Sequence, residues 1–201
     1  MSAVDPTSPA RGFLRADGVG PFAINDASGL TDRDPSWSAM LRVMRADSAV
    51  FRDHWREPLL RRLYPGVFIV WSHRLAHTLH LRGRRAAAML VMWACHAITG
   101  CEIRPGAVIG PGLMVVHPSG VVIGGGTVAG SRLQLYGSNT FGSNEGQGIH
   151  GSPRVGDDVV LAAHAMAIGP VRIGDGALVG AASLVLADVP PGATVKGVPA
   201  R

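Results

Sequence analysis

Histidine is the most versatile group in this chain, and its settings differ. His117 lies inside IGPGLMVVHPSGVVIG, residues 109–124, among glycine, proline, serine and apolar residues that pack or turn but do no chemistry. An imidazole titrates near neutral pH and can take the proton of a hydroxyl nucleophile. It then needs an acceptor on its other nitrogen to fix the tautomer. His73, His77 and His80 share a helix face, and HRLAH has an HxxxH spacing. That spacing lacks the glutamate of a metalloprotease motif, so packing is the better reading. Cys95 and Cys101 have neither a disulfide framework nor metal-ligand spacing. GGGTVAG, 124–130, is followed by no helix and so is not a dinucleotide loop.

The elements that would hold these groups follow from composition. The 201 residues are 47% hydrophobic and only 16% charged, enough apolar material for a sizeable core. With 27 glycines, 14 prolines and 5% aromatics, turns and short β segments should dominate. The net charge of +5 comes almost wholly from arginine, Lys196 being the single lysine. These arginines are scattered without interleaved aromatics, which argues against a nucleic-acid partner and leaves a phosphate-bearing small ligand or plain solvated surface. AAAMLVMWACHAI, 86–98, is too short to span a bilayer and reads as a buried helix. No leader pattern opens the chain, so a cytoplasmic location without membrane contact is expected.

Three textures succeed one another. Residues 1–36 lack a sustained period and read as a mobile arm. Residues 37–100 are rich in helix formers, with Ser36 as a candidate N-cap and Gly83 and Gly100 as stops. From 101 to 201 the period is six. Val155, Leu161, Ala167, Ile173, Val179 and Val185 keep that spacing, and Ile103, Ile109, Val115 and Val121 run in the same phase. Hexads of this kind make a parallel β-helix, three to a triangular coil, so residues about 18 apart stack near the ~4.8 Å strand spacing. Val155 should then lie over Ile173 and Leu161 over Val179. The polar stretch at 137–152 should leave the coil as an extruded loop. The expected class is α+β, a short helical domain followed by the β-helix.

With these motifs in view the chain resembles the serine O-acetyltransferase family of hexapeptide acyltransferases over about residues 45–201. YPGVFIVWSHRLAH, GCEIRPGAVIGPGLMVVHPSGVVIG and DVPPGATVKGVPAR carry the resemblance. It implies a left-handed β-helix, homotrimers or dimers of trimers, and acetyl-CoA as co-substrate with no metal. The family's catalytic histidine falls on His117 and its acidic partner on Glu102. The donor would run along the later coils, its pantetheine arm near Ala163, Gly180 and Ala181, its phosphates near Lys196 and Arg201. Small side chains there let backbone approach the ligand closely.

The acceptor side departs from the family. The aspartate expected just before the catalytic histidine is Val116, and the Arg-His pair of the loop falls on Gly151 and Ser152, with His150 displaced by two. Asp53 is the nearest counterpart of an aspartate from the helical domain. Losing charged contacts to both ends of a zwitterion costs several kcal/mol of binding. The expected function is therefore acetyl transfer to a hydroxyl, or an amine, of an acceptor other than free L-serine, or of serine held differently. Two alternatives remain: a non-catalytic hexapeptide scaffold, and a zinc enzyme like the γ-carbonic anhydrases using His117, His150 and His164.

Overall fold

The computed structural model describes residues 34–54, 64–143 and 151–201, with side chains to Arg52 in the first of these. The expected arm, 1–36, thus falls almost wholly outside the described residues. Helix α1 (Trp37–His54) opens as anticipated, the Ser36 hydroxyl accepting the Ala39 N–H at 3.1 Å. Helix α2 (Pro65–Leu81) places its proline at the first turn, where no N–H is needed. Helix α3 (Arg85–Thr99) stops at Gly100, whose left-handed φ of 70° lets its N–H reach the His96 carbonyl. The buried-helix expectation for 86–98 needs correction. Only Ala88, Met92 and Cys95 of α3 are buried, while Leu90, Trp93 and Ile98 face solvent.

Fourteen short parallel strands follow among the described residues, laid in three sheets. The first sheet holds β1 (Glu102–Ile103), β4 (Val122–Ile123), β7 (Thr140–Gly142), β10 (Met166–Ile168) and β13 (Leu184–Val185). The second holds β2 (Val108–Ile109), β5 (Val128–Ala129), β8 (Arg154–Val155) and β11 (Arg172–Ile173). The third holds β3 (Met114–Val115), β6 (Gln134–Leu135), β9 (Val160–Leu161), β12 (Leu178–Val179) and β14 (Thr194–Val195). Successive strands pass from face to face of a triangular prism, and the aliphatic of each hexad points to its axis. Ile109, Val115, Ile123, Leu135, Val155 and Leu161 are all buried there. Each such side chain contributes about 1.5–3 kcal/mol through burial.

Register shows where the repeat changes length. Val155 pairs with Ile173 and Leu161 with Val179, the eighteen-residue step expected. The first step is twenty: Glu102 pairs with Val122 and Met114 with Gln134. Two extra residues sit between β3 and β4, so the inward phase passes to Ile123 instead of stopping at Val121. The expected loop also begins later than residue 137. Thr140–Gly142 is strand β7, paired on both sides, and Phe141 fills the axis completely buried. Residues 144–150 lie outside the described residues.

A buried clasp joins helices to coil. The Asp47 carboxylate of α1 accepts Arg74 Nε at 2.9 Å and the backbone N–H of Gly112 and Leu113 at 2.7 and 3.1 Å. Arg74, on α2, donates onward to the carbonyls of Ile109 and Gly110. His77 Nδ1 lies 2.7 Å from the Pro105 carbonyl, which accepts its proton. His73 and His77 are both buried between the helix and its neighbours.

Candidate active site

The helical segment fixes the strand that delivers His117. A Cβ on Gly66, in the first turn of α2, would collide with the Val115 carbonyl, so only glycine lets helix and strand come this close. Tyr64 hydroxyl donates to the Val116 carbonyl, and its ring rests against Phe51 at 5.9 Å. With Val115 and Val116 buried and held from outside, the chain emerges at the long corner with the His117 side chain exposed. Beneath it lies Gly137, where a Cβ would stand 2.9 Å from both the Cβ and the carbonyl oxygen of His117.

That corner starts a column along one prism edge. The His164 N–H donates to the Gly137 carbonyl at 2.8 Å, and the Ala182 N–H to the Ala163 carbonyl at 2.9 Å. On the next coil the backbone of Gly180 bonds to Val195, and a Cβ on Gly180 would lie 3.1 Å from that of Lys196. Lys196 and Arg201 exchange backbone hydrogen bonds of 3.1 and 3.2 Å, setting two exposed cations side by side. His117, Ala163, Gly180, Ala181, Lys196 and Arg201 therefore share one edge, whose ends stand four coils, or about 19 Å, apart. The N–H groups of Ala163 and Ala181 have no acceptor among the described residues. A donor without an internal partner on an open edge is available to a ligand.

Glu102 reaches this corner through backbone. Its N–H bonds to the Val121 carbonyl, and the Gly120 N–H to that of Gly100, so β1 flanks the strand leaving the corner. Its carboxylate pairs with Arg104 Nε at 3.3 Å, and among the described residues no bond joins it to His117. The acceptor positions are dispersed. Val116 lies under the corner with its side chain buried. Ser152 stands at a different edge, its hydroxyl against Gly126, so one chain does not bring it to His117. Asp53 falls in the last turn of α1 with its side chain outside the described residues, as is the whole of His150. No group of three or more His, Cys, Asp or Glu among the described residues could hold a metal. His117 and His164 stand two coils apart, about 10 Å along the axis.

Two supports of the site escaped the sequence reading, Tyr64 and Gly137. The Tyr-Pro-Gly at the head of α2 was the available signal for the first. For the second there was none, because the twenty-residue step puts Gly137 below His117 where an eighteen-residue count does not.

Hexad coils whose first corner carries an exposed histidine, with a column of small residues below it ending in paired cations, are the frame of an acyltransferase of the hexapeptide class, using acetyl-CoA. No protein-family model matches the chain. Among curated proteins it is 39% identical over 168 residues to the serine acetyltransferase of Mycobacterium tuberculosis, covering 81% of this chain and 72% of that one. It is also 39% identical over 160 residues to the serine acetyltransferase of Helicobacter pylori strain J99, covering 80% and 91%. The chain belongs to the serine acetyltransferase family. Among solved structures, Neisseria gonorrhoeae serine acetyltransferase in complex with serine superposes with TM-score 0.74 at 34% identity, over 82% of this chain and 69% of that one. A serine acetyltransferase complex with CoA superposes with TM-score 0.74 at 27% identity, over 85% and 72%.

Proposed function

We propose that His117 is the general base of an O-acetyl transfer from acetyl-CoA. Its imidazole takes the acceptor hydroxyl proton as the oxygen attacks the thioester carbonyl. The tetrahedral intermediate collapses, the carbon–sulfur bond breaks, and the imidazolium returns the proton to the leaving CoA thiolate. Glu102 turns from Arg104 to hold the other ring nitrogen and stabilise the imidazolium. The coil winds left-handed and three chains associate, so that the groove beside His117 is completed by a neighbouring chain. The pantetheine arm lies along the edge against Ala163, Gly180 and Ala181, and Lys196 and Arg201 meet the phosphates. One observation carries this reading: the histidine, the Ala163 and Ala181 N–H groups that have no acceptor among the described residues, and the Lys196 and Arg201 cations fall on a single edge.

The acceptor is not held as a free zwitterionic amino acid would be. Val116 supplies no charge below His117, and Ser152 carries none. A larger or less charged hydroxyl compound fits better. Free L-serine is the second reading, favoured by the relatives, one of which is described in complex with serine. Measuring thiol release from acetyl-CoA across a panel of hydroxyl and amine acceptors decides between them. Saturation by L-serine at ordinary concentrations defeats the altered-acceptor reading. An unchanged rate in His117→Ala defeats the assigned base.

A further inference from the structure

We propose that His164 binds the donor, its imidazole bonding to an amide of the pantetheine arm midway between the thiol and the phosphates. This rests on the donor path proposed above and adds to it a residue with its own test. His164 follows Ala163 in the third corner of the His117 edge, and its N–H is tied to the carbonyl of Gly137, the residue beneath His117. Its φ of 61° is in the left-handed region, as are those of Ser138 and Ala182 in the corners on either side. Glycine commonly occupies such a position, and histidine is among the non-glycine residues enriched there.

Its place along the edge decides what it can touch. His164 is two coils from His117 and two from the Lys196 corner, about 10 Å from each. A donor with its thioester at one end and phosphates at the other presents the middle of its arm here, where the arm carries amide groups. The other polar side chains of this edge are largely committed. Ser138 Oγ donates to the Ser119 carbonyl, and Asn139 is buried and bonded to the Ala162 and Ala165 carbonyls. Ser183 Oγ is buried and bonded to the Ala181 carbonyl and the Gly197 N–H. The His164 ring is exposed and has no hydrogen bond or ion pair among the described residues. It is the uncommitted side chain that can offer both a donor and an acceptor at mid-arm height.

The test titrates the purified protein with CoA and with adenosine 3′,5′-bisphosphate, which carries the nucleotide end without the arm. His164→Gly suits the left-handed backbone and so removes the ring without strain. His164→Asn keeps an amide donor and acceptor and tolerates the same φ. The expected result is CoA affinity reduced about 3- to 10-fold in His164→Gly and held within twofold of wild type in His164→Asn. Affinity for the bisphosphate stays unchanged in both. Equal loss for the two ligands moves the contact to the phosphates and overturns the proposal, as does unchanged CoA affinity. If His117→Ala abolishes turnover while His164→Gly binds CoA normally, this proposal alone fails. If CoA binds wild type but alanine at Lys196 and Arg201 leaves its affinity unchanged, the donor path itself is wrong.

Discussion

At the residue scale the site reduces to one exposed imidazole whose surroundings are rigid. Replacing His117 with alanine should lower kcat by about 10²- to 10⁴-fold, the range for losing a positioned general base. Glu102→Ala should lower kcat less and leave the KM for acetyl-CoA unchanged, read from steady-state rates with saturating acceptor. If both variants keep wild-type kcat, neither group takes part in proton transfer. His117 stood out in sequence as a candidate because nothing near it could serve in its place. The pairing of Glu102 with Arg104 was not, since residues two apart on a strand share a face only once the strand is known.

The element scale is governed by contacts that no local pattern announces. The hexad period betrayed the coil because an inward aliphatic at every sixth residue is demanded by the prism axis. Phe141 was missed because a polar, glycine-rich context hid one buried ring. The clasp of Asp47 and Arg74 joins residues 27 apart and both sit fully buried, a pairing visible only in three dimensions. Asp47→Asn removes the carboxylate charge from beside the buried Arg74 guanidinium and should cost about 3–5 kcal/mol. Denaturant unfolding measures this, and the double replacement Asp47→Leu with Arg74→Leu should recover much of it. His73 offers a pH test. Its ring nitrogens have no hydrogen-bond partner among the described residues, and burial, then the nearby charges of Arg74 and His77, hold its pKa well below the usual 6.5. The unfolded chain therefore binds a proton that the folded one refuses as pH falls below about 6.5. Stability should rise with pH across that window and flatten above it. In His73→Leu the melting temperature should vary less between pH 5 and 7; an identical slope would show that other groups set it.

At the scale of the whole molecule, the column along one edge runs from the exposed His117 at the first coil to the Lys196 and Arg201 cations at the last. Lys196→Ala with Arg201→Ala should raise the KM for acetyl-CoA about tenfold and leave that for acetyl-pantetheine unchanged. Equal effects on both donors would place the phosphates elsewhere. No helix among the described residues is long and apolar enough to cross a membrane.

The surplus pair of residues in the corner between β3 and β4 has a consequence of its own. Every other strand spacing within the first two coils is six, so the excess is confined to the loop that carries the imidazole. Excising Pro118 and Ser119 would bring that twenty-residue step down to the eighteen seen between Val122 and Thr140 while removing the outcrop from which the histidine projects. On the mechanism proposed above, a prism shortened in this way would fold and yet be inert, because reactivity would depend on a local irregularity that the regular coil tolerates.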